Sequence, residues 1–569
     1  MTTEAIIVDD LTFRYPGSDE PVLQDANLRV EPDSFTAIIG ANGSGKTTLC
    51  KTFNGLVPHF FEGTFEGTVR VNGTDTTDAD VSTLSQTVGY VFQDFENQLV
   101  QPLVFDDVAF APKNHGLADY EARAADALET VGLGDAADRF VWELSGGQKH
   151  LVALAGVLAM EPEFVIVDEP AAQLDPHNAR ETYEQLRRIQ RETDVGVIVI
   201  EHHTEFIADY CDRLVMIADG GVAWTDPVAD GLNRVEELLD ADIHPPMVTQ
   251  IARELPAEQG LLPEGRYPVT VSEAARAFPP LTAQPDRHRT RGDRDPGGPL
   301  VSLCDVTHGY PTLREGRKTV LEQFDLQLYA GDRVALIGAN GAGKSTILRL
   351  MTGLEAPDSG TVTVLGQDTN DTLPEELAED TVYIHQNPEE MFIEETVRDD
   401  IGYYLDRRGC PDVDERVDEV VSFLDLDDIA DRDGRLLSVG QQRRASLGIG
   451  LATDPSVVLL DEPTGSLDLQ SRREVTRMLS RSESRTEAVV TATHDLQLVA
   501  SWADRVVVLG PSGILADASP QAIFERPELL DRAHLRPPQV VELSDRLGVE
   551  SPALTVSEFV DRLAAVEVR

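Results

Sequence analysis

The sequence predicts two α/β domains in tandem, each a parallel-sheet core with a helical insertion. Three observations carry this. First, GANGSGKTT from Gly40 recurs as GANGAGKST from Gly338, and later motifs recur at offsets of 292 to 293 residues: Gln93 with Gln386, Leu144-Ser145 with Leu437-Ser438, Asp168-Glu169 with Asp461-Glu462, and His202 with His494. Second, the apolar runs are short and β-branched, and each closes on a polar or glycine motif, as buried strands do when ligands bind at their carboxyl ends. Third, a length of 569 residues excludes a single small module.

Along the chain, FTAIIG runs into the first glycine loop, and an apolar helical pattern, LCKTFNGL, follows it. EFVIVDE and VGVIVIE are the next strands. RVALIG, ILRLMTGL, SVVLLDE and AVVTATHD repeat the series in the second half. Between Gln386 and Leu437, the residues Val413, Val417, Val420, Val421 and Leu424 fall at helical spacing, and Ala125, Leu128 and Val131 echo them, which places the insertion. The tails recur as well. Pro245-Pro246 matches Pro537-Pro538, and TVSE from Thr270 matches TVSE from Thr555. The expected organisation is a nucleotide-binding domain over residues 1–228 with an extension over 229–282, a connector over 283–300, then a second domain over 301–517 with its extension over 518–569. The connector, AQPDRHRTRGDRDPGGPL, is polar, Pro/Gly-rich and free of apolar periodicity.

Composition narrows the setting. No run of about 18 apolar residues is present, and MTTEAIIVDD has neither a basic leader nor a secretory apolar stretch, so a cytoplasmic location is expected. Cys50, Cys211, Cys304 and Cys410 form no CxxC pair, which argues against a disulfide framework or an iron–sulfur cluster. The net charge is −52, and only six of the 48 basic residues are lysine. An Asp/Glu-rich, Lys-poor surface suits a salt-rich cytoplasm that screens its self-repulsion, so a halophilic source is expected. A charge set by solvent salt says little about nucleic acid.

The phosphate chemistry follows motif by motif. Gly40 to Thr47 and Gly338 to Ser345 fit G-x-x-x-x-G-K-[ST] between a strand and a helix. Gly40, Asn42, Gly43 and Gly45, with Gly338, Asn340, Gly341 and Gly343, form loops whose N–H groups cradle phosphates, and Thr48 and Thr346 continue them. Lys46 and Lys344 would bridge the β- and γ-phosphates, while Thr47 and Ser345 would place a hydroxyl on Mg²⁺. Asp168 and Asp461 suit Mg²⁺ coordination, and Glu169 and Glu462 suit activation of the attacking water. Ser145, Gly146 and Gly147 at a helix start would form a second anion site. In the second half, Ser438 and Gly440 remain but Val439 stands where the first half has Gly146.

LSGGQ from Leu144, together with the phosphate loops, Gln93, Gln386, His202 and His494, resembles the ATP-binding-cassette ATPases, in two copies over nearly the whole chain. The resemblance implies ATP and Mg²⁺ as ligands and two cassettes facing head to tail as a pseudo-dimer, each ATP held between one phosphate loop and the other cassette's signature. It further implies that Gln93 and Gln386 sense Mg²⁺ and the lytic water, that His202 and His494 contact the γ-phosphate, and that Tyr15 and Tyr310 stack on adenine. Asp175 and Asp468 match the family's interface loop. His203 is left without a role.

VFQDFENQLV from Val91, IHQNPEEMFI from Ile384, IEHHTEF from Ile200 and the TVSE tails look like the ATPase subunits of energy-coupling-factor importers for metal ions and vitamins. That implies an integral membrane coupling protein and a substrate-capture membrane protein as partners, no nucleic acid, and a peripheral position on the cytoplasmic face of the membrane. Segments after Gln93 and Gln386 would receive the coupling helices, with Asp94, Glu96, Glu389 and Glu390 either pairing with basic residues or forming solvated acidic loops. The competing readings are another transporter branch and a soluble twin-cassette factor for ribosomes or nucleic acid.

Overall fold

The structure is a computed structural model and describes residues 5–171, 174–193, 195–256, 260–278, 297–312, 316–465, 469–482, 485–511, 513–549 and 551–567. The chain forms two compact units, Met1–Phe278 and Pro279–Arg569. Among the described residues, the first unit has a six-strand sheet in the order Gly221–Pro227, Arg213–Ala218, Phe35–Ile39, Gly196–Ile200, Phe164–Asp168 and Val88–Val91. Neighbours from Arg213–Ala218 to Val88–Val91 are parallel, and only the Gly221–Pro227 edge is antiparallel. The second unit repeats this order with Gly513–Ala518, Arg505–Gly510, Arg333–Ile337, Ala488–Thr493, Val457–Asp461 and Thr381–Ile384.

The central strands are buried on both faces, which is why they read as continuous apolar runs. Phe35, Ala37 and Ile39 face helices, whereas Ile38, Ile166 and Ile198 face a second, four-strand antiparallel sheet. That sheet runs Leu23–Val30, Ile6–Arg14, Thr64–Val71 and Thr74–Asp75. One of its faces meets solvent, so its strands alternate buried and exposed residues, and register shifts after Val8 and Leu11 interrupt the alternation.

The helical insertion holds Tyr120–Thr130 and Gly146–Leu158 in the first unit, and Val413–Phe423 and Val439–Leu451 in the second. Val417, Val420, Val421 and Leu424 are buried. In the first unit the inward face is Ala124, Ala127, Leu128 and Val131, and Ala125 points to solvent. Positions 124, 127, 128 and 131 stand at i, i+3, i+4 and i+7 and follow the helical repeat, whereas the even spacing from 125 drifts off the face.

The extensions are helical. Val228, Leu232, Leu238, Ile243 and Val269 join the same core as the helical face of the main sheet. Pro246 and Pro538 immediately precede the helices Met247–Glu254 and Gln539–Arg546. The TVSE repeats are helix starts: Thr270 Oγ1 accepts from Glu273 N at 3.2 Å, and Thr555 Oγ1 from Glu558 N at 3.2 Å. Leu300 is buried at the start of the strand region, while connector residues up to 296 lie outside the described residues. Among the described residues no helix is long and apolar enough to cross a membrane.

Candidate nucleotide sites

Each site grows from the middle of a parallel sheet. Phe35–Ile39 ends at Gly40, and the helix Lys46–Phe53 starts six residues on; Arg333–Ile337 and Lys344–Met351 repeat this. A Cβ on Gly40 would stand 2.4 Å from the Ile217 carbonyl oxygen, so only glycine lets the loop pass the neighbouring strand. Gly338 meets the Leu509 carbonyl in the same way, at 2.7 Å. Asn42 and Asn340 are exposed in the loops, as are Gly43 and Gly341, while Gly45 and Gly343 are buried where the helices begin.

Lys46 curls back over its loop and donates to the carbonyls of Gly40 and Ala41, both at 2.9 Å. Lys344 donates to Gly338 at 2.8 Å and Ala339 at 3.3 Å, and lies 3.8 Å from Glu462 Oε1. Burial lowers the Lys46 pKa against the pull of Glu169 and Asp168. A phosphate entering the loop would replace the carbonyl acceptors with charged ones.

Phe164–Asp168 and Val457–Asp461, one strand removed from the phosphate-loop strands, end in the acidic pairs. Burial raises the Asp168 pKa, opposed by bonds from Tyr90 and from the Thr47 hydroxyl. Tyr90 donates to Asp168 Oδ2 at 2.8 Å, and Tyr383 to Asp461 Oδ2 at 2.7 Å. Asp461 Oδ1 is buried with no hydrogen-bond partner among the described residues. Ser345 sits half-buried at the start of its helix.

Glu169 and Glu462 both take left-handed backbone, with φ of 52° and 45°. Glu169 accepts from Gln93 Nε2 at 2.7 Å and lies 3.3 Å from His202 Nε2. Glu462 is 2.9 Å from His494 Nδ1 and accepts from the His494 N–H at 3.3 Å. For both carboxyls burial acts upward, yet the histidine and lysine neighbours outweigh it and hold them below the ordinary value. His494 is pushed down by burial and more strongly up by Glu462, for a net rise. The two sites therefore differ: Gln93 reaches the glutamate with its side chain, whereas Gln386 is exposed and its main-chain carbonyl accepts from Arg443 at 2.6 Å.

Tyr15 and Tyr310 stand half-buried beside the phosphate-loop helices, with hydroxyls 3.1 Å from Thr48 and 3.0 Å from Thr346. Tyr310 also donates to Glu355 at 2.6 Å.

The signatures cap helices. Ser145 Oγ accepts from Gln148 N at 3.3 Å while Gln148 returns the bond to Ser145 N at 3.2 Å, and Ser438 with Gln441 repeats this at 3.4 and 3.2 Å. Gly146 has nothing within 4 Å of an added Cβ, and Val439 accordingly projects outward, 44% exposed, without disturbing the cap. Asp175 accepts from Asn178 N at 3.0 Å at a helix start, and Asp468 lies outside the described residues.

Several residues of the site were not singled out in the sequence. Asp107 pins the loop after Gln93 by accepting from Val100 N and Gln101 N, both at 2.7 Å, and Asp400 does the same for Ile393 N and Glu394 N at 2.8 and 2.9 Å. Their recurrence in VFDDVAF and VRDDIGY was the available signal. Glu201 accepts from His202 N and His203 N at 2.7 and 2.9 Å. Of the four acidic residues read either as acceptors for a partner or as solvated loop, Glu96 pairs with Lys149 at 2.7 Å, Asp94 accepts from Asn97 at 2.5 Å, and Glu390 accepts from Asn387 at 3.1 Å. Internal pairing therefore engages three of them.

A family model described as ABC transporter matches residues 23–172 and 321–465. An ABC transporter ATP-binding protein of Methanosarcina mazei is 33% identical over 591 residues, spanning 100% of this chain and 99% of its own. One from Vibrio parahaemolyticus is 32% identical over 570 residues, 97% of this chain and 95% of its own. The solved structure of CbiO1 from Clostridium perfringens, described as part of the ABC transporter complex CbiONQ, is 30% identical, covering 42% of this chain and 95% of its own with a TM-score of 0.38.

Proposed function

We propose, for a chain that belongs to the ABC transporter family of ATPases, that its two cassettes power a membrane importer of the energy-coupling-factor type, taking up a metal ion or a vitamin. The observation that carries this is apolar surface beside the glutamine loops. Val100 and Trp142 are exposed at a cavity of about 330 Å³ that Leu99, Pro102, Val141 and Lys149 also line. The second unit exposes Ile393 and Leu436 in the matching stretch. Large apolar side chains clustered in this way suit a helix of a membrane protein, and the Asp107 and Asp400 bonds hold the receiving loops in shape. The partners in this reading are an integral membrane coupling protein and a substrate-capture membrane protein, with the chain peripheral on the cytoplasmic face.

In the reaction, Lys46 and Lys344 exchange their carbonyl acceptors for phosphate oxygens. Glu169 and Glu462, kept ionised, accept the proton of the attacking water, and His202 and His494 donate to the γ-phosphate. Tyr15 and Tyr310 offer their rings to adenine. Following the family resemblance, each nucleotide is completed by the signature of the other cassette. Mg²⁺ fits the donors, since the orphaned Asp461 oxygen is one a cation would satisfy; Thr47, Gln93 and Asp168, or Ser345, Gln386 and Asp461, would hold it. When bound it neutralises charge on the phosphate oxygens.

The test is purification from native membranes. Integral membrane proteins are expected to accompany the chain and to stimulate its ATP turnover, whereas steady comigration with ribosomal subunits would overturn the assignment.

A further inference from the structure

The helix Val439–Leu451 carries a buried cation in its second turn. Arg443 is 1% exposed, and donates from Nη1 to the His385 carbonyl at 2.7 Å and from Nη2 to the Gln386 carbonyl at 2.6 Å. A guanidinium removed from water is costly unless it is bonded and its charge is answered. Nη1 and Nη2 are bonded and the Asp461 and Glu462 carboxylates supply opposing charge, but Nε is buried without a partner among the described residues, and burial outweighs the carboxylates and lowers the pKa to about 10. The helix that begins with the Ser438 signature therefore grips the residue that opens the glutamine loop.

The first unit is built differently at the same point. His150 occupies the place of Arg443, 2% exposed, its ring edge-on to Phe95 at 5.0 Å and its Nδ1 without a partner among the described residues. The loop there is tied to its own strand as well as, through the Glu96–Lys149 ion pair, to the outer side of the helix. Gln98 donates to the Tyr90 carbonyl at 3.0 Å and accepts from Phe92 N at 3.2 Å.

We infer that Arg443 is a positioning residue that makes the Gln386 loop and the second signature helix move as one body through a buried main-chain grip, whereas the first cassette joins its Gln93 loop to its signature helix only through the more exposed Glu96–Lys149 ion pair and the Phe95–His150 packing. Load placed on the second loop by a partner then reaches the signature directly, and nucleotide contact at that signature reaches Gln386. The inference rests on the proposed role of Gln386 in hydrolysis.

The experiment uses the full chain carrying Glu169→Gln, so that turnover reports the second site. Steady-state kcat and KM for ATP are measured for Arg443→Gln, Gln386→Ala and the double variant, with thermal melting as the fold control. Misplacing a catalytic group by about 1 Å costs up to about 10²-fold, so kcat of Arg443→Gln is expected to fall about 10- to 100-fold with KM within about twofold. The double variant should be no slower than Gln386→Ala. Arg443→Lys should recover part of the loss, and hydrogen exchange over residues 385–393 should quicken in Arg443→Gln. Should Arg443→Gln fail to fold, Arg443→Met keeps the buried volume without the donors and carries the same expectations. Loss in Gln386→Ala beside unchanged kcat in the Arg443 variants, or additive losses in the double variant, would overturn the tether alone. Full activity of Gln386→Ala would retire the role of Gln386, and the tether's catalytic meaning with it.

Discussion

Acidification should unlock the first unit through His150. This side chain lies on the helix Gly146–Leu158 with 2% of its surface exposed, and burial lowers its pKa to about 4. A histidine in an unfolded chain titrates near 6.5. Between these values the unfolded chain binds a proton that the folded chain refuses, so stability rises with pH across that window and falls on acidification. Each pH unit is worth about 1.4 kcal/mol, and the window spans roughly 2.5 units, for a loss of about 3 kcal/mol from this one group. Set against a typical total of about 5 to 15 kcal/mol, that is a large fraction. The assay is urea unfolding at constant molar salt from pH 7.5 to 4.5, comparing the parent with His150→Leu. Both carry Trp502→Phe, so that fluorescence comes from Trp142 and Trp224 of the first unit. Other titrating groups cancel in the difference. The gap between the two chains should be level above about pH 7 and shift by about 1.4 kcal/mol per unit below pH 6, against the parent. Parallel pH dependences would show that His150 reaches solvent or finds a proton partner, and the burial argument would fail.

Two further outcomes are expected. Val439 projects from an otherwise intact cap, and in the proposed head-to-tail pairing it would crowd the nucleotide held by the first phosphate loop, so Glu462→Gln should remove most ATP turnover and Glu169→Gln less, each base costing about 10²- to 10⁴-fold at its own site. Steady-state ATPase with membrane partners present checks this, and the reverse order would refute either the pairing or the meaning given to Val439. Lowering salt from about 1 M to 0.1 M lengthens screening from roughly 3 to 10 Å, so a chain of charge −52 should melt at lower temperature; an unchanged melting curve would refute the salt adaptation.

The features legible in the sequence were those that chemistry restricts to few residue types. A loop passing within 2.4 Å of a neighbouring carbonyl admits only glycine, and a fully buried parallel strand such as Phe164–Asp168 admits only an apolar run before its acid. The antiparallel sheet was harder, because bulges after Val8 and Leu11 break its alternation. Helix phase was misjudged by one residue at Ala125, since alanine marks a buried face weakly. Asp107 and Asp400 carry no such mark, and RRASLG from Arg443 reads as a solvated helix face although Arg443 itself is buried; the reason is shared. Their partners are main-chain N–H or carbonyl groups, which every residue possesses, so nothing at the far end of the bond leaves a trace in composition or spacing.

The tail of the first unit bears on how such a protein can be taken apart or recombined. Thr204, two residues past His202, donates its hydroxyl to the His244 carbonyl at 2.8 Å, and Leu238, Ile243 and Val269 sit in the common core. The segment beyond residue 228 is therefore not an ornament that a gene could shed or trade without consequence. A transplant cut there would carry a raw apolar wound and leave the loop after His202 missing its anchor. In the second unit the position of Thr204 is taken by Leu496, which is buried and has no hydroxyl to offer, so the two tails are not spare parts for one another. The compact unit is the whole half chain, and a transplanted cassette of this kind should keep its core when joined near residue 278.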